Sequence, residues 1–270
     1  MVIWKKYNGA LIPDQPPHIR MTDSQKYIGK LVKSKNAFFA RWTTEFDKKL
    51  MTNFWFVIND RPLDINDYSS NTRSKIRRGL KNLDVKKIKK SELISKGYTT
   101  YKEAFKRYKN LLPQMNKSEF KAHILGLDKT WDIWGVFHKD GGLIAYSQNQ
   151  IRDNQCTYSI IKFHVDYLRY YPSYALYYTM NKYYLKEMQL NYVNEGTRSI
   201  LHETNVQEFI IDKFKFRKAY CILNIHYHPL VRVIIWLLFP FRDVMLKFKK
   251  GILHKMAVVL KQEEIRRNQK

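Results

Sequence analysis

The chain has 270 residues, 44% of them apolar, enough for one large or two small domains with a proper core. Lys and Arg number 49 against 24 Asp and Glu, a formal charge of +25 at pH 7. That surplus favours anionic partners (nucleic acid, tRNA, anionic lipid, a phosphorylated cofactor) and equally describes a Lys-rich solvated surface. Cys156 and Cys221 sit in apolar, strand-like runs and read as buried small hydrophobes of a reducing compartment in preference to a disulfide. No CxxC or Cys/His cluster suggests a metal. The N-terminal stretch lacks the apolar core of a signal peptide, so a cytoplasmic protein is expected.

Residues 1–36 open with Pro13, Pro16 and Pro17, which preclude regular helix, followed by a short helix over Asp23–Val32. Two strand-like runs, Ala37–Thr44 and Asn53–Asn59, come next; the second contains FWFVI, rich in β-formers. Ser69–Leu83 reads as a helix with Ile76, Leu80 and Leu83 on one face and Arg73, Arg77 and Lys81 on another, weakened at Gly79. After a strand at Val85–Ile88, Thr100 and Glu103 have capping-box spacing at the head of a helix predicted to reach Leu112. A second helix spans Lys117–Leu127. Strands are predicted at Asp132–His138, Leu143–Ile151 and Cys156–Val165, joined by turns at Asp140-Gly141-Gly142 and Asp153-Asn154. Pro172–Met188 follows as a helix with proline in its first turn and Leu176, Met180, Tyr184 and Met188 as its inner stripe. Asn191–Asn194 is a strand. Thr204 and Gln207 have capping-box spacing before a helix that places Val206, Phe209, Ile210 and Phe214 on one face, and Tyr220–Tyr227 is the last strand.

The ending Lys213-Phe214-Lys215-Phe216-Arg217 resembles the "EKFGFR" that closes the last helix of GNAT-superfamily acyltransferases, and the β-α-α-β-β-β-α-β-α-β order over residues 85–228 is the GNAT order. Lys215 stands where the family usually has glycine, so a differently built helix exit is expected. Asn71–Lys87 resembles the "R-x-x-I-R-K-x-x-K-x-G-V-x-V" segment of Fem-like transferases, with Arg73, Ile76, Arg77, Lys81 and Val85 at or near the matching positions. The resemblance implies an α+β fold: a GNAT-like mixed central sheet flanked by helices. It divides the chain into a small N-terminal α/β lobe (1–84), a GNAT-like acyltransferase domain (85–228) and a C-terminal helical tail (229–270).

Function follows from the same resemblance as expectation. Acyl transfer to an amine needs a base for the amine's proton, a polarised carbonyl and a donor held in line. The family polarises the carbonyl with backbone N–H groups where its fourth strand bulges away from the fifth, which implies Phe163, His164 and Val165 here. Its pyrophosphate loop, "R/Q-x-x-G-x-G/A", corresponds to Arg169-Tyr170-Tyr171-Pro172-Ser173-Tyr174, which keeps the arginine and loses both glycines. Arg169 and Ser173 are the implied phosphate ligands. The donor is acyl-CoA (acetyl-CoA), or aminoacyl-tRNA as in the Fem-like relatives. The latter suits the Arg73, Arg77 and Lys81 face, which is also the pattern of solvated charge. The tyrosine that many GNAT enzymes use as acid is replaced by Ile211, leaving Tyr192 or Tyr220 as substitutes. Glu195, His202 and Glu203, clustered between strand and helix, are the candidate catalytic bases.

The tail carries the run VIIWLLF (Val233–Phe239), short of the roughly 20 apolar residues of a bilayer span. Lys247, Lys249, Lys250 and Lys255 follow, then a second apolar run at Met256–Leu260. This is the composition of an interfacial helix on an anionic leaflet, and equally of a helical pair folded on the core or forming a dimer contact. The expected protein transfers an acyl group to an amine of a small molecule or a cell-envelope sugar or peptide precursor, working in the cytoplasm with the inner face of the plasma membrane as its docking surface. The alternatives are a non-catalytic binding protein on the same scaffold and a nucleic-acid-binding module. The second fits less well, because the aromatics fall mainly on core faces rather than among the basic residues.

Overall fold

The computed structural model describes residues 2–106, 114–201, 205–248 and 251–269. In chain order the elements are β1 (Trp4–Tyr7), β2 (Ala10–Pro13), α1 (Gln25–Ser34), β3 (Phe39–Lys48), β4 (Trp55–Asn59), α2 (Ser70–Asn82), β5 (Leu83–Lys87), α3 (Lys90–Phe105) and α4 (Lys117–Leu125). They continue with β6 (Trp131–His138), β7 (Leu143–Arg152), β8 (Gln155–Phe163), α5 (Pro172–Asn181), β9 (Tyr192–Thr197), α6 (Val206–Phe214), β10 (Arg217–Tyr227), α7 (Pro229–Leu238), α8 (Arg242–Met245) and α9 (Gly251–Arg267). They form two compact units that cut across the sequence boundaries at 84 and 228. One comprises residues 1–56, 197–205 and 218–270; the other comprises 57–196 and 206–217.

In the first unit the strand order is β1-β2-β3-β10, with β2 and β3 parallel and the other pairs antiparallel. The stretch read from sequence as an irregular Pro-rich entry contains the β1–β2 hairpin. Its turn residues Asn8 and Gly9 both have positive φ (49° and 80°), the geometry that two-residue hairpin loops demand. The helix α1 starts where Ser24 Oγ accepts from the Tyr27 N–H (3.2 Å), and it buries Ile28 and Val32 against Leu11, Ala40 and Trp42. Ile265 of α9 packs with Phe54, Cys221 and Leu223, which ties the C-terminal helix to the strands.

In the second unit the order is β4-β9-β8-β7-β6-β5, β4 contributing Val57–Asn59. The helices α3 and α4 cover one face: Leu93, Tyr101, Phe120 and Ile124 pack on Ile133, Phe137, Leu143 and Tyr146. Trp134, next along β6, faces the other side, where its indole N–H donates to the Tyr184 hydroxyl (2.8 Å). The helix predicted to begin at Thr100 begins at Lys90 instead. Thr100 lies in its middle and gives its hydroxyl to the Leu143 carbonyl, so the capping-box spacing caps nothing.

Two helix faces also differ from expectation. On α2 the buried residues are Thr72, Ile76 and Gly79, while Leu80 is 39% exposed. A Cβ at Gly79 would lie 3.0 Å from both Ala175 Cβ and the Tyr171 carbonyl oxygen, so glycine there lets α2 approach the start of α5. The helix α5 runs into a π-helical segment, Lys182–Glu187. The wider turn breaks the i, i+4 stripe after Tyr184 and leaves Met188 39% exposed.

Lys215 adopts φ +59°, the left-handed conformation a glycine would take, and the Phe216 N–H reaches back to the Ile210 carbonyl (3.3 Å). The helix exit expected to be built differently thus keeps the backbone conformation that suits glycine, with lysine carrying the strain that glycine avoids. That strain costs roughly 1–2 kcal/mol for an L-residue, against about 0.5–1 kcal/mol of extra backbone entropy for glycine. Lys215→Gly is expected to raise the thermal unfolding midpoint by about 1–4 °C. An unchanged or lowered midpoint in calorimetry contradicts this account.

Candidate functional site

The strands β8 and β9 run parallel and pair only at Gln155↔Tyr192, Cys156↔Val193 and Thr157↔Asn194. Beyond those pairs each strand turns away by its own device. On β8 the register with β7 shifts between Asn149↔Tyr158 and Gln148↔Ile160, which leaves Ser159 as a bulged residue, exposed within the sheet. On β9, Gly196 takes φ +108° and its N–H donates to Asn194 Oδ1 (2.8 Å). Asn194 is 3% exposed, so the departing backbone is held by a buried side chain. The bulge expected at Phe163–Val165 thus lies at Ser159. Phe163 is paired with Ala145, and the His164 N–H is committed to the Ile144 carbonyl (2.8 Å).

Glu195 is the first residue of β9 past the paired stretch. It is half-buried, and burial pushes its carboxyl up to about 7 in spite of a hydrogen bond from the Gln207 side chain in the first turn of α6. Its negative charge also reaches Tyr177 of α5, whose hydroxyl is raised well above its ordinary value, chiefly by burial. Tyr177 belongs to an aromatic cluster with Tyr158, Tyr174, Phe209, Phe214 and Phe216, ring centroids 5.2–6.4 Å apart. Tyr158 is turned into that cluster, its hydroxyl donating to Asn181 Oδ1 (2.8 Å). The aromatic residues of the Lys213–Arg217 motif therefore wall the ground beside Glu195. Arg217 closes it by binding Asp60 through Nε (3.0 Å) and Nη2 (2.5 Å). Burial alone would raise Asp60; the Arg217 hydrogen bond and charge outweigh it and hold the carboxyl below its usual value.

The remaining predicted residues are dispersed. His202 and Glu203, with Thr204 of the proposed capping box, lie outside the described residues. Arg169 is exposed, stacked on the Tyr170 ring with its centre 5.1 Å away, and Ser173 is half-buried in the first turn of α5. Pro172 has no N–H, and the N–H groups of Tyr171, Tyr174 and Ala175 bond to the Leu168 and Tyr171 carbonyls. On α2, Arg73 donates to the Asn66 carbonyl (3.3 Å), whereas Arg77 and Lys81 are exposed. Of the substitute acids, Tyr192 is buried in β9, and Tyr220, in the other unit, stacks edge-on to Trp55. Tyr177 escaped the sequence reading, since nothing local separates it from its neighbours. A grouping of Glu103, His164 and Asp166 brings one possible ligand atom each within 4.8 Å, another feature the sequence did not suggest. Lys106 Nζ already sits 2.6 Å from Glu103, so the group is satisfied by an ammonium. Two hollows of about 280 and 330 Å³ lie in the first unit, lined by Trp42 and Asn224 and by Trp236 and Phe239, and neither touches Glu195.

No protein-family model matches the chain, and no curated protein matches it in sequence. Among solved structures it is similar to FemX, with a TM-score of 0.58 at 11% identity over 88% of this chain and 86% of that one. It is similar also to L-PGS from Bacillus licheniformis, with a TM-score of 0.53 at 11% identity over 97% and 85%. The chain has a Fem-like GNAT fold. In this fold β8 and β9 stop pairing after Thr157↔Asn194, and Glu195 is the next residue of β9.

A carboxyl whose folded value lies above its unfolded one contributes stability that is complete below the unfolded value and is lost as pH rises through the folded value. The protein is therefore expected to lose stability between roughly pH 5 and pH 8 as Glu195 ionises. Glu195→Gln should flatten that slope and be the more stable protein at pH 8. Parallel denaturation curves for the two proteins across this range would refute the buried carboxyl.

Proposed function

We propose that the chain is an acyltransferase that moves an acyl or aminoacyl group onto an amine, with Glu195 as general base. One observation carries the reading: a carboxyl with a pKa of about 7 at the point where β8 and β9 part. A group so tuned is substantially ionised at neutral pH yet basic enough to take a proton from the acceptor ammonium before it attacks, or from the amine as the new bond forms. The new N–C bond forms as the donor's C–S or C–O bond breaks, and the proton passes to the Glu195 carboxylate. The unpaired backbone around Ser159 supplies N–H groups for the developing oxyanion. Tyr177, buried beside Glu195, is the candidate for a proton donor to the leaving group.

The donor is anionic, either acyl-CoA or aminoacyl-tRNA. The start of α5, with Pro172 and its self-bonded amides, makes a poor pyrophosphate cradle, which favours the tRNA version. Arg77 and Lys81 would then meet phosphates along the exposed side of α2. The acceptor is an amine of a small molecule or of a cell-envelope sugar or peptide precursor.

Glu195→Gln is expected to lower kcat/KM by about 10²-fold or more, and the wild-type profile to rise with a midpoint near pH 7. His202→Ala and Glu203→Gln belong in the same series. Unchanged turnover in all three removes the base from this loop, and no turnover with any donor in the wild type leaves a binding protein on a transferase scaffold. For the donor, calorimetric titration with acetyl-CoA is set against binding of aminoacyl-tRNA. The expected outcome is tRNA binding that falls steeply with salt and weakens in Arg77→Glu and Lys81→Glu. Heat with acetyl-CoA and none with tRNA reverses the assignment.

A further inference from the structure

We infer that the C-terminal helices present an apolar ridge that inserts into the interfacial layer of an anionic lipid bilayer. On α7, Ile235 turns inward (2% exposed), while Val233, Trp236 and Leu237 stand out, Trp236 at 69%. Phe241, Val244 and Ile252, which follow in the chain, are exposed as well, the last at 75%. The sequence pattern pointed to two apolar runs, and the structure separates their roles. Ala257 and Leu260, of the second run, are fully buried, and Ile265 packs on Phe54, Cys221 and Leu223. Thus the stretch of α9 from Ala257 to Ile265 is the root, and α7, the turn after it, α8 and the start of α9 are the part displayed.

Charge selects the occupant. From Pro229 to the C-terminus there are ten Lys and Arg against Asp243, Glu263 and Glu264, and Asp243 is the sole acid before Glu263. Arg232, Lys247 and Lys255 are exposed along the ridge, and the Arg242 and Arg267 guanidinium centres lie 4.9 and 3.8 Å from the Phe239 ring centroid. Large apolar side chains flanked by cations, with a single acid among them, match the acyl–headgroup boundary of an anionic leaflet, where the apolar face is buried and the cations meet phosphates. Among the described residues no helix is long and apolar enough to cross a membrane, so the ridge lies in the surface layer. This inference stands apart from the acyl-transfer reading, because it is tested without turnover.

The test mixes the full-length protein with vesicles of phosphatidylcholine alone or with added phosphatidylglycerol, and reads co-sedimentation together with tryptophan emission. Trp236→Phe assigns the emission change, and Val233→Glu and Leu237→Glu, whose side chains are exposed, serve as insertion variants with circular dichroism as the folding check. Expected is at least ~10-fold tighter binding to the anionic vesicles, a blue shift lost in Trp236→Phe, quenching by lipids brominated in the acyl chain, and loss of ~10-fold or more in the two acidic variants. Equal binding by folded Leu237→Glu and Val233→Glu, or no binding by the wild type, overturns the inference. So does a wild-type dimer that ignores vesicles and is split by the same substitutions, which would give the ridge to a second copy of the chain.

Discussion

Two parallel strands that stop pairing inside a sheet leave backbone donors and acceptors without partners, and the second unit is organised around how that cost is met. A buried group without a hydrogen bond costs about 1–3 kcal/mol, so the departing backbone must find a local partner or face an opening where a ligand or solvent can meet it. Asn194 receives the Gly196 N–H on β9, and the extra residue at Ser159 lets β8 keep its ladder to β7 while the backbone that faced β9 is left to the opening. Two independent devices at the same level of the sheet make the gap a built feature rather than a fraying end.

The paired end of the same strands is locked by a polar network. The Tyr184 hydroxyl receives the Trp134 indole N–H (2.8 Å) and an Asn149 amide N–H (3.2 Å) and donates to Asp132 (3.1 Å), whose other oxygen pairs with Lys87 (2.8 Å). The π-helical turn after α5 carries Tyr184, so the irregular helix and the buried network explain one another. Each of these groups has a neighbour as hydrogen-bond or charge partner, which is what allows tyrosine and asparagine to be buried there. One end of the strand pair is therefore paired and lies by this network, the Cys156 thiol bonding to the Tyr184 hydroxyl, and the other parts beside a half-buried carboxyl.

The tuning of Glu195 follows from that placement. A carboxylate at the surface would titrate in its usual range; this one loses hydration by burial and receives a neutral hydrogen bond from Gln207 in partial return. The same aromatics explain the Lys-Phe-Lys-Phe-Arg ending. Phe214 and Phe216 are buried, Arg217 binds Asp60, and the Phe214 carbonyl accepts from Asn59 (3.2 Å), so the motif fastens α6 to β4 and fixes where Gln207 can reach.

The sequence by itself determined the order of elements from β5 to β10, the turns at Asp140-Gly141-Gly142 and Asp153-Asn154, and the aromatic ending of α6. These depend on periodicity and turn chemistry acting over a few residues. Only the tertiary structure decided that α3 starts at Lys90, that Gly79 rather than Leu80 faces α5, that the π turn exposes Met188, and that the bulge falls at Ser159. Each of these hangs on a partner far away in the chain: the Leu143 carbonyl for Thr100, Tyr171 and Ala175 for Gly79, β7 for Ser159. Glu195 was legible as a candidate and its pKa was not, because burial is a property of what the rest of the chain packs around a side chain.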